Sequence, residues 1–408
     1  MSEVRLSIPS QPDFELGINR TNNVAIIAEV PETEIADGLV FLIPGMGGEN
    51  DASYSTMLRR YLATKHNLVA VSVDGHCNNC RPLSSQEFGS VTLDIEKNSI
   101  IDALGKYVVN NLGHPLKLEV ETHNDVLALL QGDVSHQYSL KAHLTPPGNQ
   151  YQNFGVLAAL DHIAALHHLI DTGLAFDTSN VLCLGSSHGG YIAHLMAKFA
   201  PNTINAVIDA SAYTETVTKF VDNGFCEAAI SDGNLLYDCS TTQGWQFRLP
   251  GRDDFFGPDR ALIRDAAYRD HLEIDKQMAD RRCQFRMIHS EEDSVSSPLL
   301  KRAQADLLQS NGYDAVLKIV KPTDVDGKFI KSVDHGMGIA LNALFDHFYP
   351  TIERRPGKID RELATELTFP CPKRRYVLKY DPASIHVKAE CPLHSNAREA
   401  EQVRALAG

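Results

Sequence analysis

The sequence predicts an α/β fold built on a mostly parallel, doubly wound sheet. Three features carry that expectation: uninterrupted apolar runs of strand length, helical apolar spacing between them, and glycine-rich loops where the runs end. An apolar run without polar alternation fits a strand buried on both faces, as in a parallel sheet covered by helices.

Residues 1–37 alternate apolar and polar side chains in short runs, Val24-Ala25-Ile26-Ile27-Ala28-Glu29-Val30 among them, and predict strands at the entry to the sheet. Leu39-Val40-Phe41-Leu42-Ile43 follows as a buried strand and stops at Pro44-Gly45-Met46-Gly47-Gly48. A helical segment over 54–64 and a strand over 68–73 complete one βαβ crossover. Residues 83–150 mix polar stretches with helical segments at 100–109 and 126–130, and read as an elaborated connection leading into a helix. The rhythm then returns: helix 154–170, strand 181–184, helix 190–199, strand 206–208. Residues 212–280 hold few strand-like runs and the only tryptophan, Trp245, and are expected to form a cap or lid insertion. The core resumes with strand 285–288, helix 298–309, strand 315–320 and a helix beginning near Gly336. The expected organisation is an α/β domain over 1–350 and a C-terminal extension over 351–408, which shows no strong pattern.

A chain of 408 residues with 43% hydrophobic and 22% charged residues can bury a large core. Its formal net charge of −14 is spread along the chain and repels phosphate backbones and anionic membranes, so neither nucleic acid nor membrane is an expected partner. The basic clusters Arg354-Arg355 and Lys373-Arg374-Arg375 read as solvated surface. The N-terminal residues do not read as a secretory signal, and no apolar run is long enough to span a bilayer. The eight cysteines, scattered over the chain, are expected to be reduced thiols and the compartment cytoplasmic.

The sharpest chemical signal is Gly185-Ser186-Ser187-His188-Gly189-Gly190, a G-x-S-x-G motif between an apolar strand and an amphipathic helix. The sharp strand-to-helix turn lifts the serine hydroxyl above the sheet edge, and glycines two residues away on either side remove side chains that would clash. A plain close-packed glycine turn is the simpler alternative, and the flanking strand and helix weigh against it. Ser187 is therefore the candidate nucleophile.

A serine needs a base to take its proton and a third group to orient that base. With the partners in the order Ser, Asp or Glu, His, Asp293 lies in the loop after strand 285–288, and His335 in Ser332-Val333-Asp334-His335-Gly336-Met337 lies after the last strand. Asp293 could instead cap the following helix, and Asp209, directly after strand 206–208, is its competitor as the acid. His188 is a poor candidate base because successive side chains at the turn point in different directions. Its backbone N–H is a candidate oxyanion donor, joined by that of Met46, with Gly47 as second choice. No cofactor is called for. His76-Cys77-Asn78-Asn79-Cys80 contains a C-x-x-C with no second pair at zinc-finger spacing, so no metal site is expected there. His167-His168 reads as a structural or surface pair.

The order of elements from Pro44 to His335 resembles the α/β-hydrolase superfamily. Gly185-Ser186-Ser187-His188-Gly189-Gly190-Tyr191 resembles the elbow of prolyl-oligopeptidase-like and acetyl-xylan-esterase-like members. Tyr151-Gln152-Asn153-Phe154-Gly155, the helix through Asp161, and Ser332 to Met337 are similar to an uncharacterised bacterial family of predicted serine hydrolases, often encoded near surface-sugar or flagellar glycosylation genes. The resemblance implies the fold and a Ser187-His335-Asp293 triad cleaving a carboxylic ester through an acyl-enzyme, with an O-acyl (acetyl) group on a sugar as the candidate substrate. Acyl transfer by the same triad, a peptidase or amidase activity, and a non-catalytic binding role are the alternatives, and a homo-oligomer is compatible with all of them. The long 83–150 connection and the 351–408 tail depart from the minimal superfamily pattern, and there is no room for the N-terminal propeller of the peptidase branch.

Overall fold

The computed structural model describes residues 1–46, 48–78, 92–112, 122–217, 228–241, 244–245, 247–278 and 283–394. The chain enters through β1 (Ser2–Pro9) and β2 (Asn23–Val30), then runs through β3 (Leu39–Ile43), α1 (Ser53–His66) and β4 (Val69–Val73). A first excursion holds β5 (Thr92–Ile95), α2 (Lys97–Asn110), α3 (His123–Gly132) and β6 (Tyr138–Thr145). The alternation resumes with α4 (Val156–Asp171), β7 (Val181–Ser186), α5 (His188–Phe199) and β8 (Ala206–Ala210). A second excursion, β9 (Ala228–Asp232), β10 (Leu235–Thr241), α6 (Pro258–Arg264) and α7 (Arg269–Met278), precedes β11 (Gln284–Ser290), α8 (Pro298–Ser310), β12 (Ala315–Val320) and α9 (Leu341–Phe348). Strands β13 (Glu366–Pro370), β14 (Arg375–Lys379) and β15 (Lys388–Glu390) follow.

Eight strands form the main sheet in the order β1-β2-β4-β3-β7-β8-β11-β12. Strand β2 is antiparallel to both neighbours, and every pair from β4 to β12 is parallel. The apolar runs explain why: along β3, Leu39, Phe41 and Ile43 enter one core while Val40 and Leu42 enter the other. Helices α4 and α5 cover the first face, α1 and α9 the second. Each fully buried Leu, Ile or Phe contributes about 1.5–3 kcal/mol, so a strand apolar on both faces is stable only when helices cover both. This is the α/β-hydrolase sheet, and the crossovers bring the C-terminal ends of its parallel strands to one edge, where ligand sites of open α/β sheets form.

Helix α4 is buried nearly all round, Asp161, His162 and His167 included. Its outer side is covered by the tail, where His167 Nδ1 lies 3.0 Å from the Ile385 carbonyl and its ring packs on Tyr380. The segment before α4 ties distant parts together through buried Glu15. That carboxylate accepts hydrogen bonds from Asn153 Nδ2 (3.0 Å), Arg264 Nη1 (3.0 Å), Arg260 Nη1 (3.2 Å) and the Tyr376 hydroxyl (3.1 Å).

Four features differ from the sequence expectations. The two excursions are not only helical: β5, β6, β10 and β9 form a separate four-stranded sheet in which β6 and β10, far apart in the chain, pair in parallel. The tail carries an antiparallel three-stranded sheet whose Leu367, Phe369, Tyr376 and Leu378 join the first core. The closing helix starts at Leu341, because Gly336, Met337 and Gly338 all have positive φ (76°, 55° and 60°), which an α-helix excludes. Cys183, Cys371 and Cys391 are free thiols, whereas Cys77 is disulfide-bonded. That corrects the expectation of reduced thiols throughout, since an argument from composition does not register an individual pair. No described helix is long and apolar enough to cross a membrane.

Candidate active site

Ser187 sits between β7 and α5 with φ 53° and ψ −124°, a conformation costly for any residue with a Cβ. The surroundings hold it there: its N–H donates to the Ala210 carbonyl (2.9 Å), and its carbonyl accepts from the Tyr191 N–H (3.1 Å). The flanking glycines are sterically required. A Cβ on Gly189 would lie 2.0 Å from the Ile43 carbonyl oxygen, and one on Gly185 2.5 Å from the Gly190 nitrogen. The elbow is thus pressed against the end of β3.

His335 reaches this serine from the loop after β12, with Nε2 2.7 Å from Ser187 Oγ. Its Nδ1 lies 2.8 Å from Asp293 Oδ2, in the loop after β11. Asp293 also accepts from the Val295 and Ser296 N–H groups, both at 2.9 Å. Burial alone would raise the Asp293 carboxyl; the hydrogen bonds from His335 and these amides outweigh it and hold the group below the usual aspartate range. The ring of His335 stacks on Tyr213 (centroids 6.2 Å apart, planes 24°) and its side chain keeps 23% exposure, so the Ser187–His335 pair is reachable from solvent.

Asp209 stands elsewhere. It is fully buried beneath α5, where it accepts from Lys301 Nζ (3.0 Å) and lies 2.7 Å from His194 Nε2. Burial opposes its charge, but Lys301 and His194 hold the carboxyl far below its ordinary range. The ring of His188 packs against Phe154 (5.1 Å) and Tyr191 (6.0 Å). Its backbone N–H opens α5, where the first amides have no acceptor within the helix. Met46 lies in the turn closed by the Gly48 N–H to Gly45 carbonyl bond (2.9 Å), and Met46 and His188 line one pocket. Gly47 lies outside the described residues.

Several residues of the site carry no sequence motif. Ser211 Oγ accepts from the Gly336 N–H (2.9 Å), and Ser290 Oγ donates to the Val333 carbonyl (2.5 Å), so two serines hold the histidine loop. His76 and His162 line the pocket beside Met46 and His188. A serine directly after β8 and another at the end of β11 were a weak available signal; nothing in the sequence places His162, the seventh residue of the apolar helix α4, on one pocket with His76.

The sheet order and the strained serine at the β7–α5 turn define a chain of α/β-hydrolase fold, with Ser187, His335 and Asp293 in one hydrogen-bonded run at that turn. The chain belongs to the family described as Protein of unknown function (DUF2920), which it matches over residues 5–388. No curated protein matches it. Among solved structures it is similar to the acylaminoacyl peptidase of Pyrococcus horikoshii, with 12% identity, a TM-score of 0.47, and coverage of 88% of this chain and 42% of that one. It is also similar to an S-formylglutathione hydrolase from Agrobacterium tumefaciens (14% identity, TM-score 0.43, 86% and 95% covered). A third similar structure is Thermogutta terrifontis esterase 2 phosphonylated by cyclosarin (10%, TM-score 0.42, 82% and 92%). The chain spans less than half the length of the peptidase it matches.

Proposed function

We propose that this protein hydrolyses a carboxylic ester through a Ser187 acyl-enzyme, an O-acyl group on a sugar being the substrate that its sequence resemblance suggests. The observation supporting this reading is the unbroken hydrogen-bonded run from Ser187 Oγ through His335 to Asp293, at 2.7 and 2.8 Å. In this reading Ser187 Oγ attacks the ester carbonyl while His335 Nε2 takes its proton. The Met46 and His188 N–H groups hold the developing oxyanion. Collapse of the tetrahedral intermediate expels the alcohol, which receives the proton from His335. Water then repeats the sequence on the acyl-enzyme and releases the acid. Asp293 holds His335 in the Nδ1–H tautomer and stabilises the imidazolium.

Labelling with a fluorophosphonate probe tests the nucleophile. Wild-type protein is expected to label at Ser187, and Ser187→Ala protein not at all. A folded wild-type protein that does not label overturns the reading. Ester and peptide-amide substrates of matched acyl group then separate esterase from peptidase turnover.

A further inference from the structure

The turn that carries Gly45 and Met46 leaves β3, closes with the Gly48 N–H on the Gly45 carbonyl (2.9 Å), and is fastened again before α1 begins. The fastening lies at Glu49 and Asn50. Asn50 Nδ2 donates to the Val73 carbonyl at the end of β4 (3.0 Å) and to Asp74 Oδ1 (2.6 Å), and Ser55 Oγ donates to the Glu49 carbonyl (2.7 Å). Arg59, the seventh residue of α1, completes it. Its Nη1 donates to the Asn50 carbonyl (2.6 Å) and to Ser72 Oγ on β4 (3.0 Å), and its Nη2 to Thr56 Oγ1 (3.2 Å). Asn50 and Ser72, which Arg59 grips, line one cleft with Gly45 and with Ser186, next to Ser187.

Arg59 is fully buried, and among the described residues no carboxylate stands at ion-pair distance from it. Other buried arginines differ: Arg260 and Arg264 meet Glu15, and Arg286 meets Asp314. Glu29, the carboxylate that acts most on Arg59 from a distance, already accepts from Arg60 Nε (3.1 Å). A buried charge bonded only to neutral oxygens is costly, and a neutral donor could tie Asn50 to α1 at less cost. The charge becomes favourable where negative charge develops during a reaction, because fixed positive charge inside a protein stabilises an oxyanion.

We propose that Arg59 is a positioning residue for the oxyanion hole. Through the Asn50 carbonyl it sets the turn that aims the Met46 N–H, and it places uncompensated positive charge behind that turn. The proposal rests on the hydrolase reading above for the reaction it serves.

The test compares wild type with Arg59→Met, which has neither donor nor charge, and Arg59→Lys, which keeps the charge and loses the two-pronged grip. The readouts are the rate constant of fluorophosphonate labelling at Ser187 in folded protein, kcat and KM for 4-nitrophenyl acetate, and hydrogen exchange of the Gly48 amide, which needs no turnover. Arg59→Met is expected to label about 10²-fold more slowly, the effect of a misaimed oxyanion donor. Its kcat should fall in parallel with KM little changed, and Gly48 should exchange faster. Arg59→Lys should lie between, about tenfold below wild type.

A merely structural arginine would lower the melting temperature and leave the labelling rate of the folded protein alone, and that outcome overturns the proposal. Arg59→Lys decides the matter even where Arg59→Met does not fold, since labelling at the wild-type rate shows that the grip does not aim the turn. Labelling of Arg59→Lys no faster than that of a folded Arg59→Met overturns the role of the charge. A wild-type protein that does not label overturns the hydrolase reading and the oxyanion role with it; faster Gly48 exchange in the variants would then leave only the grip on the turn.

Discussion

The Gly336 N–H donates to Ser211 Oγ at 2.9 Å, which ties the turn after β8 to the loop that carries His335, the proposed base. Ser211 is itself anchored, since its N–H donates to the Ile288 carbonyl (3.0 Å) on the strand that leads to Asp293. Acid and base loops are thereby fixed to one point, so that the spacing between Asp293 and His335 does not depend on the long connection after β12.

Ser211→Ala removes that point while leaving the three reacting residues in place. An unpaired Gly336 amide costs about 1–3 kcal/mol, read as a shifted denaturation midpoint. If Ser211 positions the base, kcat for a small ester should fall about tenfold with KM little changed, because only the alignment of His335 suffers. A fall in stability with kcat unchanged would reduce Ser211 to a structural role.

The two aspartates that competed for the acid are separable by substitution. Asp293→Asn keeps the shape but no longer favours the Nδ1–H tautomer of His335, and kcat should drop about 10⁴-fold. Asp209→Asn leaves Lys301 buried beside no counter-charge, a loss of about 3–5 kcal/mol. Its folded fraction should still label with fluorophosphonate at Ser187. A thermal melt and a labelling time course on both variants check the pair of outcomes.

How much of this was legible in the sequence follows from the range of the interactions. Leu39–Ile43, Val181–Ser186 and the residues around Ser187 announce themselves because strand, turn and helix are neighbours in the chain, and their apolar period is local. Tyr138–Thr145 and Leu235–Thr241 do not, since each is stabilised by the other across a long separation and neither has an uninterrupted apolar run. The tail strands are similar: Tyr376 is held by Glu15, at the opposite end of the chain. His76 was visible only beside a weak C-x-x-C motif, and its place on one pocket with His162 exists only once β4 and α4 pack together.

Acid should act on Glu15. Burial would raise its carboxyl, but Arg264 and Arg260 outweigh it and hold the group at about 2, against an ordinary 4.5. The folded value is depressed, so the unfolded chain binds the proton first, and stability falls with pH. The contribution is fully present above pH 4.5 and is lost as pH falls towards 2. Denaturant titrations between neutral pH and pH 3 should show wild type losing stability more steeply than Glu15→Gln. The variant itself starts about 3–5 kcal/mol lower, because two buried arginines lose their counter-charge. Equal pH slopes would show that Glu15 is not the titrating group.

Two glycines near the site should fail for different reasons when changed to alanine. At Gly189 a Cβ meets the Ile43 and Pro44 carbonyl oxygens at 2.0 and 2.4 Å, backbone against backbone, with no rotamer to relieve it. The start of α5 must then move away from the end of β3, and the His188 amide moves with it, away from the Met46 turn. A stability loss of about 1–3 kcal/mol should accompany a roughly 10²-fold slower fluorophosphonate reaction, the effect of misaiming one oxyanion donor. At Gly336 nothing lies within 4 Å of the added methyl, and the cost is that of φ 76° for a residue with a Cβ, about 1–2 kcal/mol. Gly336→Ala should therefore lower the melting temperature while its labelling rate changes much less. Equal slowing in both variants would mean that the coupling between β3 and α5 is not what aligns the oxyanion donors.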